Sequence, residues 1–518
     1  MTHDVIVLGS SFSGSLLAWI LASRGMRVLV LDRGRHPRFA VGESSTPAAD
    51  AVLARLAARF DLPALAPLSR YGAWQRAYPQ LGCGRKRGFS YFQHRPGQPF
   101  AEGPDHEASL LVAASASDEE SDTHWVRADV DAFFFGQAVA AGADCREEAV
   151  ITGIEGPGRE ASPTWTVRWR QAADRGTTAG ATGPDTATAR RLVDATGGGG
   201  ALAAHLGLES LDDLLLTRTG AIYGHFAGVG SWDALQLAAG NASTTDPFRS
   251  DDAAQHHLLA DGWVWMLRFN DDRCSVGIVT RHAADAAAPA ATGEHPAAVE
   301  ARWTTRLAEY PCVRRLLAGS RSLRPLASIE RMSRLWGRAS GPGWAMLPTT
   351  AGFVDPLHST GIAHGLGGVE RVADLLLADR HDDAAWDRYG RDVVDEVRWI
   401  DALVSGCYAA IPDFELFRAA STHYFLAAVD GERADAAGLP PAGRGFLAAR
   451  NQPLRAAITT SLADLRGLVA AGPAADAGRR AAVLARVRDR LAPWDHPGLL
   501  DPAARNRFAH TAARKPMA

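Results

Sequence analysis

The sequence predicts an α/β protein: a Rossmann-type nucleotide-binding domain, an inserted β-sheet domain for the substrate, and a C-terminal helical region. Three observations predict it. Residues 3–34, HDVIVLGSSFSGSLLAWILASRGMRVLVLDRG, read as strand, tight turn, amphipathic helix and strand, which is a βαβ unit. TWTVRWR (164–170) and the Trp-x-Trp run of GWVWMLRFN (262–270) alternate as strands do. From about residue 366 onward helical patterns dominate to the end of the chain.

Taken in order, the first turn is Gly9-Ser10-Ser11-Phe12-Ser13-Gly14, a GxSxxG pattern with serine at the usual middle glycine. Glycines at this turn let the backbone approach a pyrophosphate seated on the helix N-terminus. Asp32, ending the second strand, is placed to accept a ribose hydroxyl bond. A helix is expected over 48–59, a strand over 87–94 and a helix over 129–144. The segment 171–189, small and polar, reads as a hairpin tip or loop. RRLVDATGGGG (190–200) is a strand ending in glycines, and 283–300 is an Ala/Pro-rich connection. Only one βαβ fingerprint is evident, so a single nucleotide is expected. The domain boundaries follow: 1–200 for the first part of the nucleotide domain, with substrate-lobe strands near 60–125; 201–330 for the substrate sheet; 331–380 for the second nucleotide part; and 381–518 for the helical region.

Composition narrows the class. The chain has 518 residues, 47% hydrophobic and 22% charged, with a formal net charge of −3. Acids and bases are interspersed, which argues against a nucleic-acid footprint or a polybasic membrane patch. Five scattered cysteines without CxxC spacing argue against a disulfide framework or a zinc site and fit a reducing, cytoplasmic setting. Asp4 and the Gly-Ser-Ser interruption make the N-terminus a strand and helix, not a signal peptide, and no apolar run reaches membrane-spanning length.

In GFVDPLHSTGIAHG (352–365), Pro356 fixes the backbone, and Ser359-Thr360-Gly361 can turn several N–H groups one way before a helix, an anion nest. This stretch, with VGESSTPAAD (41–50), GWVWMLRFNDDRCSVGIV (262–279) and the fingerprint, resembles the flavin-dependent halogenase family of single-Rossmann FAD monooxygenases. The resemblance implies a Rossmann-type FAD-binding domain and reduced FAD supplied by a separate flavin reductase. Oxygen and a chloride or bromide ion would complete the reagents, with a small aromatic or carrier-bound substrate. It places the cofactor against Gly9, Ser11, Phe12, Ser13, Gly14, Asp32, Gly42, Glu43, Ser44, Arg127, Asp355, Pro356, Gly361 and Ile362. Halide falls to the amides of Thr360 and Gly361. In CGRKRGFSYFQH (83–94), Lys86 matches the family's catalytic lysine, a buried amine that holds or reacts with hypohalous acid. Trp263 and Trp265 match the pair that bars substrate from the flavin.

The chain also departs from the family. His358 stands where tryptophan halogenases carry an active-site Glu; it keeps a proton-accepting role but cannot act as a carboxylate above a lysine. Thr349 stands where related flavoproteins place an Asp on the ribityl chain, so modest FAD affinity is expected. The main rival reading is a flavin monooxygenase that hydroxylates an aromatic or peptide side chain, with His358 as general base. An isoprenoid-chain reductase and a non-catalytic flavin-binding maturation factor are the further alternatives.

Overall fold

The computed structural model describes residues 2–156, 164–171, 184–241, 243–282, 295–378, 382–472 and 476–513. Most of the predicted loop at 171–189 and of the connection at 283–300 lies outside them. Where residues 185–189 are described they are not loop: Asp185–Asp194 is one strand. Its small Thr and Ala residues pair with Trp165–Gln171, the large partner that supplies the packing.

Among the described residues the first layer is an eight-stranded sheet. Its parallel part runs Trp344–Met346, Asp185–Asp194, Thr2–Leu8, Val28–Leu31 and Asp144–Arg146 in spatial order. From the central strand Thr2–Leu8 the chain passes to one neighbour and returns on the other side, so a crevice opens at the carboxyl ends of Thr2–Leu8 and Asp185–Asp194. The helix Phe12–Ser23 is buried over nearly its whole length. Gly14 is required here, because a Cβ on it would lie 2.1 Å from the Gly9 carbonyl oxygen. Gly9 itself has φ +96°, and a Cβ there would press on Ala195.

The second layer is, among the described residues, a nine-stranded, mostly antiparallel sheet. Thr219–Ala227, Arg273–Arg281, Gly262–Arg268 and Ala254–Leu258 lie side by side, followed by Gly88–Gln93 and Ser109–Ala113. One face packs on Trp232, Trp303 and Tyr310. The other presents Phe89, Tyr91, Trp263 and Trp265 to the helices Asp383–Ala410, Phe414–Ala436, Gln452–Ala471 and Ala477–Leu491. Near the C-terminus the chain returns to this sheet, where Arg507–Phe508 pairs with Leu111 and Val112. Among the described residues no helix is long and apolar enough to cross a membrane.

Candidate active site

A cavity of about 860 Å³ opens at the crevice and extends between the two sheets. Gly9, Ser11, Phe12, Asp32, Gly42, Glu43, Ser44, Arg127, Pro356, Gly361 and Ile362 line it, as does the glycine turn Gly197–Gly199. Ser13 and Gly14 sit behind the wall in the first helix, and Asp355 does not reach the cavity. Both oxygens of Asp355 are engaged in the loop: Oδ1 accepts from the Leu357 N–H at 2.9 Å, and Oδ2 from Thr219 Oγ1 at 2.8 Å and Tyr408 OH at 2.9 Å. Burial raises its pKa to about 6.

Asp32 Oδ2 accepts from the Ser10 amide at 2.7 Å and from its hydroxyl and Arg38 at 2.8 Å; Oδ1 accepts from the Gly34 amide at 2.7 Å. The acid expected to meet the ribose therefore shares its charge with Arg38, a residue the fingerprint does not flag. Arg127 pairs with Asp131 at 2.9 Å and donates to the carbonyls of Val41 and Gly42 at 2.9 and 3.0 Å, holding the Gly42–Ser44 segment against the cavity. Glu43 pairs with His225 at 2.6 Å. Ser44 Oγ faces this region buried and without a hydrogen-bond partner. The positive-φ glycine at the first turn, the open glycine strip and the orphaned serine hydroxyl fit a dinucleotide cofactor.

At the other end, Ser359 has φ +54° and ψ 34° and caps the 18-residue helix Thr360–Leu377. A left-handed residue followed by the first helical amides forms a nest at a positive dipole end; Ser359 and Gly361 line the cavity there, whereas Thr360 is buried beside it. Trp263 and Trp265 both line the cavity with ring centroids 6.0 Å apart. Their indole N–H groups are held by Tyr408 OH at 2.7 Å and Ser275 Oγ at 3.1 Å. The Trp265 ring lies where a Cβ on Gly277 would be, at 2.2 Å, so the opposite strand must be bare there.

Lys86 is fully buried, on the strand Cys83–Lys86 opposite Asp122. Its ammonium stands 4.1 Å from the centre of the Phe89 ring and donates to the Ser45 carbonyl oxygen. Ser45 follows the cavity-lining Ser44, so Lys86 lies just behind that wall. Both contacts are of the kind an ammonium makes. His358 is placed differently from expectation. It is off the cavity, stacked on Tyr424 with centroids 4.1 Å apart, with Nδ1 3.3 Å from Tyr91 OH and Nε2 3.4 Å from Cys407 Sγ. Burial holds its pKa well below the ordinary histidine value. The apolar pattern around 358 gave no hint that helices more than 45 residues later in sequence would enclose the ring.

The histidine that does line the cavity is His256, which sequence reasoning passed over. It is stacked on Tyr91 at 4.5 Å and lies 4.9 Å from Trp263. Burial, with a contribution from the nearby Lys86 charge, takes its pKa to about 3. Its signal was available in AQHHL (254–258), a strand one hairpin away from the tryptophans.

Residues 7–80 match the model of the NAD(P)-binding Rossmann-like domain, and residues 187–415 match the model of tryptophan halogenase. Tetracycline 7-halogenase of Kitasatospora aureofaciens is 30% identical over 442 residues, covering 83% of this chain and 74% of that one. The chain belongs to the flavin-dependent halogenase family. It is an FAD-dependent enzyme of that family. Monodechloroaminopyrrolnitrin halogenase PrnC of Pseudomonas fluorescens is 26% identical, covering 80% of this chain and 69% of that one. The crystal structure of halogenase PltM with phloroglucinol and FAD superposes with a TM-score of 0.81 at 24% identity. It covers 99% of this chain and 100% of that one, and so shares the fold.

Proposed function

We propose that this halogenase chlorinates or brominates a small, electron-rich aromatic substrate, with reduced FAD delivered by a separate flavin reductase. The chemistry that reduced FAD supplies when bound is two-electron activation of oxygen, which turns halide into an electrophilic halogen species. The chain's residues hold the reagents in sequence. Gly9, Ser11 and the glycine turn at 197–199 seat the dinucleotide; Asp32 takes the ribose once Arg38 yields. The Thr360 and Gly361 amides hold the halide. Trp263 and Trp265 wall the flavin end from the aromatic substrate, which keeps oxygen transfer from competing. Lys86 receives the electrophile and presents it to the ring.

The observation that carries this reading is the position of Lys86: wholly buried, with its ammonium against Phe89 and the Ser45 carbonyl, directly behind the cavity wall. The hydroxylase reading needs His358 as a general base facing the cavity, and its stacked, low-pKa setting removes that support. A reductase-coupled assay tests the proposal. Phenolic and pyrrolic compounds are incubated with a flavin reductase, FAD, NADH and either chloride, bromide or neither, and products are read by mass spectrometry. Halogen isotope patterns that require added halide are expected; oxygenated products that form without halide would refute the reading.

A further inference from the structure

The four arginines that line the cavity are not alike. Arg38 is paired with Asp32 at 2.8 Å, Arg127 with Asp131 at 2.9 Å, and Arg33 is exposed. Arg334 is partly buried and opens the short strand Arg334–Leu335, opposite Phe353 in register. Its guanidinium carbon stands 5.8 Å from the centre of the Phe353 ring, and one Nη donates to the Thr349 carbonyl oxygen. Its Nε is buried without a hydrogen-bond partner, and no carboxylate is within ion-pair distance among the described residues. Asp212 acts on it only from a distance, its Oδ1 being taken by the Leu335 N–H at 2.6 Å. Burial lowers the Arg334 pKa to about 10, which leaves it a cation at neutral pH.

Arg334 also has a definite place along the cavity. The Phe353 ring is the nearest neighbour, at 3.5 Å, of a Cβ built on Gly361. Arg334, Thr349, Phe353 and Gly361 thus share the end of the cavity where the helix Thr360–Leu377 begins. A helix N-terminus and an acid-free guanidinium converge there, at the point where the family pattern has an aspartate and the chain has Thr349. A partly desolvated cation in a cavity wall is unfavourable until an anion arrives.

We infer that Arg334 makes the cofactor site selective for the reduced flavin over the oxidised one. The inference rests on the reading that the isoalloxazine lies at the 356–362 end. Oxidised isoalloxazine is neutral, whereas the two-electron reduced ring loses the N1 proton near neutrality and carries a negative charge across N1 and the adjacent carbonyl. A fixed cation at that end lowers the energy of the reduced form and leaves the oxidised form nearly unchanged. By linkage, the same preference makes bound FAD easier to reduce than free FAD. It would let the enzyme take reduced FAD from solution and release the oxidised product.

Equilibrium binding tests this on the full chain: oxidised FAD by quenching of its fluorescence, reduced FAD by anaerobic titration, each with wild type, Arg334→Gln and Arg334→Lys. The midpoint potential of bound FAD gives a second readout. Wild type is expected to bind reduced FAD more tightly than oxidised. In Arg334→Gln the affinity for reduced FAD falls about tenfold, that for oxidised FAD stays within about twofold, and the potential moves negative; Arg334→Lys recovers most of the loss. Equal weakening of both forms overturns the inference, because the arginine then holds Phe353 or the diphosphate. A change in chloride affinity alone assigns the cation to halide and overturns it too. If Arg334→Gln does not fold, wild type still decides: equal affinity for both redox forms contradicts the inference. Failure of wild type to bind either form refutes the flavin reading of the cavity, and this assignment with it.

Discussion

Asp355 joins the nest loop to both sides of the molecule without touching the cavity. Through Tyr408 it is linked to the Trp263 indole, and through Thr219 to the neighbouring strand. Its pKa of about 6 lies above the ordinary value of 3.8, with burial as the cause. The folded state thus binds this proton more tightly than the unfolded chain. The contribution to stability is full below about pH 4 and is lost as pH rises through 6, a penalty on the order of 3 kcal/mol. Asp355→Asn should remove that slope: urea midpoints of variant and wild type converge at low pH and separate in the variant's favour between pH 5 and 7, less the cost of turning two hydroxyl donors. Residue-level features differ in how legible they were. Gly9 and Gly14 follow from a turn whose geometry is local in sequence, whereas the pairing of Asp32 with Arg38 was not flagged by the fingerprint. The role of Asp355 was not readable, because its partners lie 136 and 53 residues away, and neither spacing leaves a local pattern.

The helix Thr360–Leu377 carries the nest at one end and is fixed to the C-terminal helices along its length. Arg371 forms two bonds to Glu396, at 3.0 and 2.8 Å, and His364 approaches the same carboxylate at 3.0 Å. The Phe446 amide donates to Glu396 at 2.9 Å, and Arg55 bridges Glu370 and Asp435 at 2.6 and 2.7 Å. Burial works against the charge on Glu396, but Arg371 and His364 outweigh it and hold the pKa at about 2. That stability is present above the ordinary value of 4.5 and lost as pH falls toward 2. Arg371→Met strands a buried carboxylate and should cost about 3–5 kcal/mol, with the acid-unfolding midpoint moving to higher pH by circular dichroism. The helices were legible to within a few residues: 48–59 became Pro47–Phe60, and 129–144 became Arg127–Ala140. The parallel pairing of Ala254–Leu258 with Gly88–Gln93 was not, since strands joined across 160 residues share no hairpin signal.

At the scale of the molecule, the cavity exists because two sheets and a helical layer meet at one place. The nucleotide sheet supplies glycines and Asp32, the second sheet supplies His256 and the tryptophans, and the helices pack on the same face of that sheet as the tryptophans. This convergence explains why fold class and nucleotide binding could be read from short motifs, while the surroundings of Lys86 and His358 could not. Those two side chains are enclosed by segments distant in sequence. The central claim is that the electrophilic halogen made at the flavin end reaches substrate only through Lys86. Its most direct test is a single turnover of Lys86→Met with reduced FAD, oxygen, chloride, a halogen-accepting aromatic and a separate trap for free hypochlorite. Unchanged FAD binding and oxygen consumption, trapped hypochlorite and at least about a hundredfold loss of chlorinated aromatic are expected. Chlorination of the aromatic at the wild-type rate would contradict the claim.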